Sequence, residues 1–249
     1  IMPTNTKKRL DQLIVDRGMA PDVKEAAALV MAGKVSLPGE KRAPTPGLQL
    51  RDDAEIDVSP EQRFVSRGGW KLQKALDHFE IDVTDAVCLD VGASTGGFTD
   101  CLLQAGVSRV YAVDTGRGQL HQKLRDDSRV VNMERRNLAD GLGLPEGVDV
   151  VVADVSFTSL TRVLPDALEQ LTGGGVAIVL LKPQFEAKKL EVPRGGVVTE
   201  SPVHAAVIGR FVRWATESKI RIRNLTSSGI LGDKGNLEFL LHLEVTSQS

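Results

Sequence analysis

The chain is short of the residues that several functional classes require. Its 249 residues include two cysteines and four histidines. His78, His121, His204 and His242 show no mutual spacing for a metal, so no metal site is expected and the imidazoles read as surface or helix-packing groups. Cys88 and Cys101 read as small buried hydrophobes of a reducing compartment, neither placed as a nucleophile. Aromatic residues make up only 4% of the chain, which leaves few candidates for recognition by base stacking. The net charge of -2 excludes a global basic field, so a nucleic-acid partner has to be met by local patches. No apolar run reaches the roughly 18 residues of a membrane span, and the polar, basic stretch from Ile1 to Arg9 has no hydrophobic segment behind it. A soluble, cytoplasmic protein is expected.

What is present is concentrated in Val87 to Leu103, VCLDVGASTGGFTDCLL. The run Val87–Val91 has the length and β-branched content of a buried strand; a loop of small residues follows, then a helix-compatible stretch from Phe98. Such a strand, glycine loop and helix form a nucleotide-type site, because glycines let backbone approach a ligand and the helix start offers unpaired N–H groups. The loop lacks the second glycine of a dinucleotide fingerprint, Ser94 standing in its place. It also lacks the lysine of a phosphate-binding P-loop, Phe98 following Gly97. An adenosine ligand without phosphates remains. The next strand, Arg109–Val113, delivers Asp114, an acid placed to accept hydrogen bonds from ribose hydroxyls.

The motif D-V-G-A-S-T-G-G-F with that acid resembles the S-adenosylmethionine loop of class I methyltransferases. The resemblance implies cofactor contacts from Asp90, Gly92, Ala93, Ser94, Gly96, Gly97, Phe98, Asp114 and Asp154, with Asn137 and Leu138 at the adenine. From Ala86 onward strands at Ala86–Val91, Arg109–Val113, Arg129–Met133, Val148–Ala153 and Val176–Leu181 alternate with helices, predicting a mostly parallel, doubly wound sheet. A long helix, Ser201 to Glu217, precedes two strands, Ile220–Leu225 and Leu237–Val245, read as a hairpin that closes the sheet with at least one antiparallel edge. The expected fold class is thus α/β with seven strands in one sheet, which with the loop motif resembles the Rossmann-like fold of class I methyltransferases.

Before it, Lys7 to about Ser59 reads as a small α+β domain. Leu10, Leu13 and Ile14 mark one helix; Asp22, with Glu25 three residues later, starts a second over Val23 to Ala32. Short strands follow at Val35–Leu37, Leu48–Leu50 and Ala54–Val58. The segments K-K-R-L-D-Q-L-I and A-x-x-L-V-M-A-G-K-V resemble the alpha-L RNA-binding domain. That resemblance implies an RNA face including Lys7, Lys8, Arg9, Lys24, Lys34 and Lys41. Two departures stand out: Val23-Lys24 replaces the usual Ser-Arg, and Leu37-Pro38-Gly39 replaces the usual Asn-Gly; Lys24 keeps the charge without arginine's fork. Nine basic and nine acidic residues lie between Lys7 and Asp57, so the face is a patch on a neutral domain. The boundaries read as 1–59 for this domain, 60–70 for a linker and 71–249 for the methyltransferase domain. Within the linker, V-S-R-G-G-W-K sets Arg67 and Lys71 around a Gly-Gly turn suited to phosphate, which adds Arg67 to the RNA face.

Four polar residues stand where this topology carries them toward the cofactor methyl: Lys71, Asp154 after V-D-V-V-V-A, Lys182 after V-A-I-V-L-L, and Glu238 opening the last strand. Strand ends line the crevice of an open α/β sheet, which gives Asp154 and Lys182 the firmest placement. The order Lys, Asp, Lys, Glu is that of FtsJ-like ribose 2'-O-methyltransferases. Joined to an alpha-L domain and to A-D-V-S-F, L-K-P-Q-F-E and E-F-L, it resembles the TlyA family of ribosomal RNA methyltransferases, also labelled hemolysins. A ribose hydroxyl needs an adjacent base, and a lysine near a sulfonium and a second lysine has its neutral form favoured, so Lys182 is the expected proton acceptor. Amino methylation fits less well, since Asp154-Val155-Ser156-Phe157 lacks the two prolines of that pocket. Cytosine carbon methylation lacks its cysteine. Two other classes stay open at this point, a membrane-active hemolysin and a non-catalytic RNA-binding or ribosome assembly factor.

Overall fold

The computed structural model describes residues 7–31, 33–38, 44–58, 63–232 and 234–245. The chain divides into two compact units between Arg63 and Phe64. In the first, β1 (Lys7–Arg9) leads directly into α1 (Leu10–Asp16), followed by α2 (Val23–Met31), β2 (Val35–Ser36), β3 (Gln49–Arg51) and β4 (Asp57–Val58). β1 pairs antiparallel with β3, and β2 with β4. The stripes read from the sequence meet in one core of Leu10, Leu13, Ile14, Ala26, Val30, Val35, Leu37 and Ile56. Asp22 does start α2, its Oδ1 accepting from the Glu25 N–H at 2.8 Å, which satisfies one of the helix's unpaired donors.

The second unit contains α3 (Gly68–Phe79), β5 (Val87–Val91), α4 (Gly97–Gln104), β6 (Arg109–Asp114), α5 (Gln122–Arg125), β7 (Val130–Glu134), β8 (Val148–Ala153) and α6 (Leu160–Leu168). β9 (Leu171–Leu181), α7 (Pro183–Glu186), α8 (Ser201–Glu217), β10 (Ile220–Ser227) and β11 (Phe239–Val245) complete it. Seven strands form one sheet in the order β10-β11-β9-β8-β5-β6-β7. β5 is central, parallel to β6 and β8, so its end opens where the strand order reverses, the place at which open α/β sheets bind ligands. Cys88, Val150, Val152, Ile178 and Leu180 face one hydrophobic layer with α3 and α4. Leu89, Val91, Val151, Ala153 and Val179 face a second with α6 and α8. Burial on both faces is why these strands read as continuous apolar runs.

One feature refines the sequence expectation and one departs from it. β11 is antiparallel to both β9 and β10, so the reversed strand lies inside the sheet and the edge strand β10 runs with the parallel set. The apolar sequence of β11, Phe-Leu-Leu-His-Leu, fits that inner position, whereas β10 carries Arg221 and Arg223. Second, Gly68 and Gly69, read above as a turn within the linker, form the first turn of α3, which begins at Gly68. A Cβ on Gly69 would lie 2.3 Å from the Phe64 ring, so glycine lets the buried phenylalanine seat against the first turn. Residues 64–70, read above as linker, thus lie in the second unit, and Lys71 projects from the first turn of a rigid helix.

Candidate active site

The glycine loop is built by close approach. Gly92 has φ +80°, and a Cβ there would sit 2.7 Å from the Asp154 carbonyl oxygen, so glycine brings the ends of β5 and β8 together. A Cβ on Gly96, φ +96°, would meet Leu124 Cδ1 at 2.1 Å. The Ser94 N–H donates to Asp114 Oδ2 at 2.8 Å and the Gly116 N–H to Oδ1 at 2.7 Å. These two bonds fix the plane of the Asp114 carboxylate and leave each oxygen a lone pair for a ligand hydroxyl. Asp90 lies beneath the loop, fully buried, with Oδ2 accepting from the Thr99 hydroxyl at 2.6 Å and Oδ1 unpartnered. Burial pushes its carboxyl up to about 7 against the Thr99 bond, and the charges of Asp154 and Asp114 add to the rise. Its position is below the cavity, not on the cavity wall.

Two adjoining cavities open above β5. One, of about 510 Å³, is lined by Asp114, Gln119, Arg136, Asn137, Leu138 and Phe157, among others. The other, of about 320 Å³, is lined by Ser66, Arg67, Lys71, Phe98, Lys182 and Glu238, among others. Gly92, Ser94, Asp154 and Ser156 belong to both, so the two are lobes of one cleft. The first is lined as a nucleoside needs, with an acid for ribose and an apolar side chain beside Asn137. Asn137 also caps the short turn Leu138–Asp140 through the Ala139 N–H. These features fit S-adenosylmethionine: an oriented ribose acid, glycines that admit the ligand to the backbone, and a charged lobe beyond for the reacting end.

In the second lobe the four expected side chains meet as two ion pairs. Lys71 Nζ donates to Glu238 Oε2 at 2.6 Å, and both residues are buried. Lys182 Nζ lies 2.6 Å from Asp154 Oδ1, an ionic contact whose angle is not that of a hydrogen bond; its ammonium donates instead to Ser156 Oγ at 2.9 Å. Asp154 is itself pinned by its N–H to the Val91 carbonyl at 3.0 Å. Sequence reasoning missed Ser156 and Ser66, ordinary serines in any loop. It also missed Phe157, which is 90% exposed with φ +63°. An aromatic residue held exposed in a left-handed conformation is strained, a feature concentrated at functional sites. Its ring lies 5.2 Å from that of Phe185, and Lys182 Nζ is 5.9 Å from the Phe185 centroid.

The basic residues assigned to RNA are placed unequally. Arg67 lines the catalytic lobe. Lys7 and Lys24 are exposed and Lys34 half-buried. Lys8 is paired with Asp16 at 2.8 Å and Asp52 at 3.5 Å, and Arg9 forks onto Asp11. Lys41 lies outside the described residues. No helix among the described residues is long and apolar enough to cross a membrane.

Residues 64–245 match the FtsJ-like methyltransferase family. A Bacillus subtilis (strain 168) protein, YqxC, provisionally named an rRNA methyltransferase, is 44% identical over 247 residues, 96% of this chain and 86% of its own length. The Mycobacterium tuberculosis (strain H37Rv) protein named 16S/23S rRNA (cytidine-2'-O)-methyltransferase TlyA is 42% identical over 243 residues, 95% of this chain and 90% of that one. A solved Streptococcus thermophilus structure, provisionally labelled a hemolysin, superposes with a TM-score of 0.72 at 40% identity, covering 98% of this chain and 90% of that chain.

Proposed function

The chain belongs to the FtsJ-like methyltransferase family, with TlyA proteins among its near relatives, and from that premise we propose that it methylates a ribose 2'-hydroxyl of ribosomal RNA. The observation that carries this reading is the meeting of Lys71–Glu238 and Lys182–Asp154 on one cavity wall, continuous with a nucleoside-shaped lobe. S-adenosylmethionine, when bound, supplies a methyl group activated by its sulfonium. Asp114, Ser94, Asn137 and Leu138 hold its nucleoside, and Gly92, Ala93, Gly97 and Phe98 shape the passage to the second lobe, whereas Gly96 lines neither lobe and packs against Leu120 and Leu124 behind the loop.

The target hydroxyl is a weak nucleophile, so the chain's task is to orient it and take its proton. Lys182 is the acceptor. Asp154 and Ser156 fix its Nζ, Ser156 Oγ offering a hydrogen-bond partner in either protonation state. Lys71 and Glu238, joined and buried, present a fixed donor and acceptor to the ribose rim. A non-catalytic binding factor has no need of a second lysine–acid pair buried beside the first. Phe157, exposed at the rim of the nucleoside lobe against Phe185, offers a face on which an unstacked base can lie. Arg67 meets phosphate at the catalytic lobe. The first unit, as an alpha-L domain, adds affinity through Lys7, Lys24, Lys34 and Lys41, while Lys8 and Arg9 stay engaged with their own carboxylates. We propose a cytidine in a cytoplasmic ribosomal subunit as the target, from the name of the 42% identical relative.

The experiment is transfer of tritiated methyl from S-adenosylmethionine to ribosomal subunits from a strain lacking this gene, with ribose mapping of the product. Wild type incorporates label at a ribose, and Lys182→Ala loses at least a thousandfold in rate while binding S-adenosylhomocysteine with unchanged affinity. Full turnover by the variant removes Lys182 as the acceptor; no incorporation by wild type into either subunit removes the substrate.

A further inference from the structure

A carboxylate at the edge of the sheet gathers more donors than a surface glutamate needs. Glu134 ends β7, and its Oε2 accepts from the Gly118 N–H at 2.8 Å while Oε1 accepts from the N–H groups of Gln119 at 2.8 Å and Leu120 at 3.1 Å. Arg125 Nη2 donates to the same Oε1 at 2.8 Å, and Arg125 Nε closes the ring by donating to the Leu120 carbonyl at 2.8 Å. Hydrogen bonds from the backbone of Gly118 and Leu120 hold this carboxyl down at about 2, with the Arg125 charge adding to the effect.

What this array fastens is one wall of the nucleoside lobe. The His121 N–H donates to the Thr95 carbonyl at 3.1 Å, tying the segment to the glycine loop. Leu120 and Leu124 fill the space that a Cβ on Gly96 would take, at 2.8 and 2.1 Å. The Gln119 amide lies across Gly116, Nε2 being 1.8 Å from where a Cβ would stand, and Asp114 Oδ1 lies 2.9 Å from that same point. Gln119 also lines the lobe. The segment from Gly116 to Leu124 therefore sets the position of Gln119 beside the ribose acid and backs the loop on its far side. Without Glu134, three adjacent N–H groups and a guanidinium lose their common acceptor.

We infer that residues 116–124 form the wall that closes the cofactor's nucleoside lobe, with Glu134 as its positioning residue and Gln119 as the side chain it presents to the ribose. The inference rests on the assignment of this lobe to S-adenosylmethionine and deepens it. Glu134 touches no reacting atom, so its effect falls on cofactor affinity and not on the rate at saturation.

The test uses the full chain with Glu134→Gln and Gln119→Ala. Titration calorimetry with S-adenosylhomocysteine measures affinity, amide hydrogen exchange follows residues 116–121 without ligand, and steady-state methyl transfer separates KM for S-adenosylmethionine from kcat. Glu134→Gln weakens S-adenosylhomocysteine at least tenfold, speeds exchange at Gly118, Gln119 and Leu120, raises KM similarly, and keeps kcat within twofold. Gln119→Ala, at an exposed side chain that leaves folding intact, weakens binding several-fold without changing exchange elsewhere. Unchanged affinity in both variants overturns the inference, as does a fall in kcat with affinity intact. If Glu134→Gln fails to fold, unchanged binding by Gln119→Ala is enough to overturn it. A wild type that binds no S-adenosylhomocysteine overturns the assignment of the lobe itself, a different failure from equal binding by wild type and variants.

Discussion

Asp90 carries a cost that depends on pH. Its carboxyl titrates near 7 in the folded protein, because it is buried, and near 3.8 as an ordinary aspartate. Between those values the folded state holds a proton that the unfolded chain has released. The stability this contributes is complete below about pH 4 and is lost as pH rises through about 7, a difference of a few kcal/mol. Asp90→Asn keeps an acceptor for the Thr99 hydroxyl and removes the titration. The difference in unfolding free energy, variant minus wild type, is therefore expected to grow from pH 5 to pH 8 in denaturant titrations; a constant difference shows that Asp90 does not carry the buried charge. At this scale the sequence was informative where a residue follows a buried strand directly. Asp154 and Lys182 sit at the ends of β8 and β9, neighbouring parallel strands, so their meeting follows from strand order. The Lys71–Glu238 bond joins residues 167 apart through a helix start and an inward reversed strand. The residue types announced their chemistry but not which lysine takes which acid. Phe157 was illegible because its signal is a backbone angle and an exposure, neither of which is written in residue type.

Among the elements, α3 shows how local preference and packing compete. Glycine is a poor helix residue, and an alanine at position 69 would favour the helix by up to about 1 kcal/mol in isolation. Here the Cβ would enter the Phe64 ring, which is fully buried and cannot swing into solvent without exposing its own surface. Gly69→Ala is accordingly expected to destabilise the protein by about 1–3 kcal/mol. Shifting the first turn also displaces Lys71 from Glu238, so methyl transfer falls with it. Thermal unfolding and turnover of the one variant check both; a rise in melting temperature means that helix propensity outweighs the clash. The same competition explains which elements were legible. β5, β6 and β8 are buried on both faces and announced themselves as apolar runs. β1 is Lys-Lys-Arg, with nothing in its composition to mark a strand; it is extended because β3 supplies its ladder. β9 begins at Leu171, with Gly173, Gly174 and Gly175 inside it, and a glycine run reads as a turn unless the neighbouring strand is known. The expected antiparallel edge is present, β10 pairing with β11, and the more apolar β11 takes the inner position beside β9.

On the scale of the whole molecule, each unit buries a core of its own: eight residues in the first, two larger layers about the sheet in the second. Every residue assigned to the cofactor and to proton transfer lies in the second unit. A fragment from Arg63 to Ser249 is therefore expected to unfold cooperatively and to bind S-adenosylhomocysteine as the full chain does. RNA affinity should behave differently. The chain has a net charge of -2, so attraction to RNA arises from a few placed cations, each of which displaces counterions as it meets a phosphate. Removing the first unit removes Lys7, Lys24, Lys34 and Lys41 and leaves Arg67. The fragment should bind ribosomal RNA more weakly, and its log affinity should depend less steeply on log salt by roughly 0.7–0.9 for each phosphate that the missing cations had neutralised. Filter binding across a salt series measures both quantities. If the fragment matches the full chain in affinity and slope, the first unit is not an RNA-binding domain, and its cations are a solvated surface. If it loses affinity with the slope preserved, recognition by that unit rests on shape and neutral contacts and not on its basic residues. A loss in both places the affinity in the lysines of the first unit and the chemistry in the second.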